Sequence, residues 1–263
     1  MKDKIPVIQV GGSVERAIKG DYQLDVAEIL KEAWQQTRAS RVSIILGLLF
    51  VFFLGAIVTY LMTLNSGGFE ALAQQPELFL IVQISVTLVT APFLAGVEMM
   101  GVLHAFGIKT TPKLVFAFLK RGSWVALCTL LTSILGAIGF QLLIIPGIFL
   151  AIALCLTIPL VVEKKMSPIR AITVSLQATR HQWFKIFALH LVLLCASFMM
   201  ILPISIFASM GIPALGIALF IFAFTFIAPM YYNVKGILYR EIFGMQLHST
   251  DTGNQPTDHT FSA

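Results

Sequence analysis

The sequence predicts an all-α polytopic membrane protein with six transmembrane helices. Three observations carry that prediction. Of 263 residues, 57% are hydrophobic and only 12% are charged, with a mean hydropathy of +0.88, whereas a soluble domain is about a quarter charged. Several uncharged runs reach the roughly 20 apolar residues that a helix needs to cross a bilayer core. The basic residues, finally, cluster on one side of the spans those runs define. This composition excludes a soluble globular enzyme, a disordered chain and a disulfide scaffold. The net charge of +5 does not point to nucleic acid, which needs a solvated basic face with reading residues; here the cations flank apolar runs.

The first run, 42–64, holds 23 uncharged residues, and the second is uncharged from Leu78 to Val97. The 41 uncharged residues 122–162 are too long for one span at 1.5 Å per residue, and Gly139 with Pro146-Gly147 supplies the break. The 49 residues 186–234 contain no Asp, Glu, Lys or Arg, and Gly211 and Pro213 divide them. The six spans are therefore about 42–64, 78–100, 124–141, 146–162, 186–207 and 212–233. All 18 basic residues then fall on one side: seven before the first span, four at Lys109, Lys113, Lys120 and Arg121, five from Lys164 to Lys185, and two at Lys235 and Arg240. The positive-inside rule makes that side, and both termini, cytoplasmic. The first 41 residues carry 13 charges and lack a signal-peptide core, so the first span is expected to act as an uncleaved insertion signal.

Three Pro positions near the cytoplasmic ends of the even spans, Pro92, Pro159 and Pro229, are spaced by 67 and 70 residues and are expected to break their helices. Before each hairpin stands a candidate interfacial amphipathic helix, a form that buries one apolar face at the headgroup boundary or on the bundle. The first runs from Asp25 to Gln36, with Asp25 and Glu28 resembling a capping box. The second starts at Thr111-Pro112. The third starts at Ser167-Pro168, with Ile169, Ile172 and Leu176 as its apolar stripe. Trp34, near the end of the first helix, and Trp124 and Trp183, after the other two, each precede the following span and are expected to be interfacial anchors. The predicted architecture is thus three Pro-broken hairpins, each preceded by an amphipathic helix. It divides into a cytoplasmic segment 1–41, a membrane domain 42–245 and a disordered polar tail 246–263.

Intramembrane ionisable groups are costly and often functional, which singles out Glu98 and His190 as a candidate polar membrane site. Glu98 is expected to be a solvated carboxylate near the inner headgroups rather than a proton or ion site, and His190 a hydrogen-bonded bundle histidine. Cys128, Cys155 and Cys195 lie in apolar stretches without metal-ligand spacing, and no metal site is expected. HExxH, GxSxG, Walker and GxGxxG motifs are absent, so the chain is expected to be non-catalytic and to need no cofactor.

The segment Ile145-Pro-Gly-Ile-Phe-Leu-Ala-Ile-Ala-Leu-Cys-Leu-Thr-Ile-Pro-Leu-Val-Val-Glu163, followed by Lys164-Lys-Met-Ser-Pro-Ile-Arg-Ala-Ile-Thr-Val-Ser-Leu-Gln-Ala-Thr-Arg-His-Gln-Trp183, resembles the YciC-like bacterial inner-membrane proteins. It is also similar to the membrane region fused to some glycerophosphodiester phosphodiesterases. In that group Pro-Gly opens a span, a proline ends it, and a charged turn leads to a helix of pattern A-x-x-x-S-x-x-x-T, matched here by Ala171, Ser175 and Thr179. The resemblance covers about residues 140–190. It implies a multi-span protein of the bacterial inner membrane, and it carries over no catalytic residues.

The functional expectation is an integral membrane protein that organises lipid or protein partners at its cytoplasmic face. Lys164, Lys165, Arg170 and Arg180 are candidate ligands of anionic lipid headgroups, since a cation near an anionic leaflet gains about 1 kcal/mol; ordinary topology signalling accounts for them equally well. The alternative is a transporter or channel for a small or lipidic solute, gated at the three prolines.

Overall fold

The longest helix starts where the sequence offers a cap and runs on because nothing stops it. Asp25 accepts hydrogen bonds from the backbone N–H groups of Ala27 and Glu28 at 2.8 and 3.0 Å. No Gly or Pro follows until Gly47, and helix α2 spans Val26–Asn65, 40 residues. At 1.5 Å per residue it is about 60 Å long, twice a bilayer core of roughly 30 Å. The expected first amphipathic helix and the first span are therefore one continuous rod. Ile29, Ala33, Thr37 and Ile44 form its buried stripe.

The computed structural model describes residues 7–248. Strand β1 (Val7–Val10) and helix α1 (Val14–Lys19) precede α2. Then come α3 (Phe69–Gln74), α4 (Pro76–Ala105), 3-10 turns at Pro112–Phe116 and Leu119–Arg121, α5 (Gly122–Leu142), α6 (Ile144–Ala153), α7 (Thr157–Val162), α8 (Pro168–Thr179), α9 (Trp183–Ser209), α10 (Pro213–Ile242) and strand β2 (Met245–His248). Six helical segments are long and apolar enough to cross a membrane. Helices α4 and α10 lie at the centre: α10 packs on α9, α4 and α2, and α4 on α2, α5 and α7.

The prolines behave differently from one another. Helices α4 and α10 continue through Pro92 and Pro229, so neither is the expected break. Proline removes one helical N–H, but lipid offers no water to the remaining backbone groups, and neighbouring helices stabilise the continuous form. The fourth span does break, ahead of Pro159, at Leu154–Leu156. There Pro159 has no N–H for the carbonyl four residues back, and it falls in the first turn of α7, where proline is tolerated. Ser175 and Thr179 of α8 donate hydroxyl bonds to the Ala153 carbonyl at the break, at 2.7 and 3.4 Å.

Helix α8 keeps the expected place but packs through a different face. Ala171, Val174, Ser175 and Ala178 are buried, whereas Ile169 is 72% exposed. The small side chains let α8 approach close enough for the Ser175 bond; a stripe of Ile and Leu would hold it away. The second expected amphipathic helix is replaced by the two 3-10 turns. Val115 lies over Gly96 of α4, where a Cβ would come within 2.6 Å of the Val115 Cα, and this pins the short connector to the bundle.

Two short segments flanking the helices pair with each other. Strand β1 pairs antiparallel with β2, Val10 opposite Met245 and Val7 opposite His248. Residues 246–248 are thus strand rather than tail, and residues 249–263 of the expected tail lie outside the described residues. The 13–25 segment is fastened to α8 and the turn after it. Gln182 bonds both Tyr22 and Leu24, and the Lys185 ammonium donates to the Leu24 carbonyl at 3.0 Å.

Tyr22 is buried, its hydroxyl donates to the Ala178 carbonyl at 2.7 Å, and burial pushes its phenol up to about 12. Tyr22→Phe should weaken the docking of this segment by about 1 kcal/mol, read as faster proteolysis between residues 13 and 25. Alkali should act in the same direction. The unfolded phenol ionises near 10 and the folded one holds its proton to about 12. The stabilisation is therefore intact below pH 10 and disappears as pH rises through about 12.

Candidate functional site

Glu98 and Lys235 meet where α4 and α10 cross. The Lys235 ammonium lies 2.8 Å from Glu98 Oε1, and the two side chains are only 8% and 11% exposed. Glu98 is therefore not the solvated carboxylate expected of it. The difference arises because α10 continues to Ile242, beyond its uncharged run, and carries Lys235 into the packed interface instead of a solvated tail. The second carboxylate oxygen of Glu98 is buried without a hydrogen-bond partner.

Beside the pair the two backbones touch. A Cβ on Gly236 would lie 2.0 Å from the Gly101 carbonyl oxygen, and one on Gly101 would lie 2.2 Å from the Tyr232 carbonyl oxygen. One turn on, the Arg240 guanidinium donates to the Ala105 carbonyl at 2.8 Å and forms a two-pronged bond with Glu32 of α2. The four-residue spacing of Gly101 and Ala105 marks this crossing in the sequence, where small residues allow close helix approach.

His190 stands on the other side of Tyr231. Its Nδ1 bonds the Ile186 carbonyl of its own helix at 2.8 Å, and its Nε2 is buried without a partner. The ring meets Tyr231 edge-on at 6.1 Å, and Lys235 lies 5.7 Å from the Tyr231 ring centroid. Among the described residues no hydrogen bond joins Glu98 to His190; they are linked only through Tyr231 and Lys235.

A second polar chain connects α2, α4 and α10. The Asn233 amide donates to Thr37 at 2.9 Å, which turns its oxygen toward His104 Nδ1 at 3.0 Å. Nδ1 also lies 3.1 Å from the Ser40 hydroxyl of α2. Nε2 faces the Thr110 hydroxyl at 2.8 Å, and Ser43 extends the chain from Thr110 at 3.0 Å. Sequence spacing relative to acids passes over His104, because its partners are amide and hydroxyl groups on three elements.

The candidate headgroup ligands sit around the start and end of α8. Lys165, Arg170 and Arg180 are exposed and have no carboxylate partner among the described residues. Lys164 differs, lying 3.2 Å from Glu163, whose carboxylate also accepts from the Tyr239 hydroxyl at 2.7 Å. The tryptophans divide similarly. Trp34 and Trp124 are outward-facing, while Trp183 stacks on Phe187 at 5.2 Å with its indole N–H buried and unpartnered.

Six helical segments long and apolar enough to cross a membrane, with a buried ion pair packed between two of them, define a multi-pass helical membrane protein. Comparison with protein-family models, curated proteins and solved structures returns no match.

Proposed function

We propose that this chain is a non-catalytic protein of the bacterial inner membrane, related to the YciC-like proteins, that organises lipids at its cytoplasmic face. In this reading both termini are cytoplasmic, and Trp34, Trp124 and Trp183 sit near the headgroup level. The observation that carries it is the surface of α8 and its flanks. Lys165, Arg170 and Arg180 lie on α8 or beside its ends without acidic partners among the described residues, and Ile169 of α8 and Phe184 of α9 are exposed as well, Phe184 at 81%. Apolar side chains at the acyl boundary beside cations at the phosphate level make an amphipathic contact with an anionic leaflet. A membrane-protein partner would use the same face.

Each cation near an anionic surface contributes about 1 kcal/mol. Replacing Lys164, Lys165, Arg170 and Arg180 together by Gln should lower the phosphatidylglycerol fraction of the lipids that co-purify in polymer-bounded nanodiscs at least twofold. Mass spectrometry of the extracted lipids reads it. An unchanged fraction, with unchanged insertion, removes the proposal.

A transporter for a small or lipidic solute is the second reading, and the buried Glu98–Lys235 pair is the observation that favours it. The backbone contact of α4 and α10 beside the pair weighs against a passage between those two helices.

A further inference from the structure

A groove of about 540 Å³ opens between the middle of α2 and the connector after α4, within the roughly 300–1,000 Å³ of small-molecule sites. Its two walls differ in chemistry. The α2 wall carries Val42 and Leu46, 64% and 46% exposed, which open the uncharged 42–64 run. Facing them on the connector are Lys109, Thr110 and Thr111, with the Thr110 hydroxyl 3.0 Å from Ser43 of α2. No Asp or Glu lines the groove, and Lys109, which is exposed, has no carboxylate partner among the described residues. The Thr111 hydroxyl makes no capping bond with the turn it precedes.

We propose that this groove binds one anionic phospholipid. The ligand must be apolar along Val42 and Leu46 and negatively charged where Lys109 and Thr111 donate. An acyl chain lies over Val42 and Leu46, and the phosphodiester accepts from Lys109 and Thr111. The site is separate from the surface around α8. It deepens the lipid-organising reading and rests on it only for the orientation of the chain in the bilayer.

The full chain in mild detergent is titrated with phosphatidylglycerol or phosphatidylcholine, and native mass spectrometry reads the population carrying one lipid. Phosphatidylglycerol should be held at least tenfold better than phosphatidylcholine. Lys109→Gln and Ala39→Trp, the latter filling the groove from an exposed wall position, should each lower its occupancy at least fivefold. Thr111→Val, which removes a hydroxyl without changing packing, should lower it about threefold. In a background that carries the four α8-region Gln substitutions, Lys109→Gln and Ala39→Trp should still lower the single-lipid population at least fivefold, which separates the groove from the general cationic face. Circular dichroism and a monodisperse elution peak confirm folding of each variant. Equal retention of the two lipids, or full occupancy in folded Ala39→Trp and Lys109→Gln, overturns the proposal.

Discussion

Gly236→Ala is expected to destabilise the bundle by about 3 kcal/mol, the upper part of the range for overpacking a filled interior. The added Cβ would lie 2.0 Å from the Gly101 carbonyl oxygen and 2.3 Å from its carbonyl carbon. Neither atom belongs to a side chain that can turn away, so α4 and α10 must separate. That separation stretches the Glu98–Lys235 contact, formed within one turn of both glycines. Helix propensity predicts the opposite sign, because alanine in a helix is favoured over glycine by about 1 kcal/mol. Gly136 of α5 isolates that second effect: it too is helical, and nothing stands within 4 Å of where its Cβ would go. Gly136→Ala should therefore leave the detergent-unfolding midpoint unchanged or raise it, while Gly236→Ala and Gly101→Ala lower it sharply. Equal behaviour at positions 136 and 236 would mean that the helices do not approach as described.

The spans were legible because membrane insertion is governed by local apolar length. The runs 42–64 and 122–162 mark their helices without reference to any partner. The lower limit of α10 was not legible in this way, because a charged residue ends an apolar run while leaving the helix intact. Lys235 therefore counted as a topology signal, although it faces Glu98 across the bundle. Those two residues are 137 positions apart in the sequence, and no spacing rule connects them. The continuity of α2 was readable from the lack of Gly and Pro after Asp25. The break near residue 155 was readable from Pro159, but the equivalent expectation at Pro92 and Pro229 fails. What distinguishes the broken helix is its environment: Ser175 and Thr179 arrive from another helix to bond the Ala153 carbonyl. These are the residues that carry the A-x-x-x-S-x-x-x-T pattern, and the structure gives that pattern a physical role. The pairing of β1 with β2 joins segments too short to declare themselves as strands.

The Glu98–Lys235 pair should behave as a unit, with each single substitution worse than the double. Lys235→Met leaves a carboxylate buried against α10 without its cation, and removing one member of a buried pair costs about 3–5 kcal/mol. Glu98→Gln should cost less. The amide oxygen can still face the Lys235 ammonium, and the new N–H groups occupy the side where Glu98 Oε2 has no partner. The remaining ammonium also keeps the Tyr231 ring at 5.7 Å. Combining Glu98→Gln with Lys235→Met removes both charges and the desolvation each requires. Replacing a whole buried pair is often close to neutral, so the double variant should recover to within about 1 kcal/mol of the parent chain. A double-mutant cycle on unfolding free energies isolates the coupling. A transport role adds a separate requirement: the double variant would regain stability while solute flux stayed lost. A protein that only organises lipids would regain both stability and lipid retention, because the charges then serve the joint between α4 and α10 and nothing that passes through it.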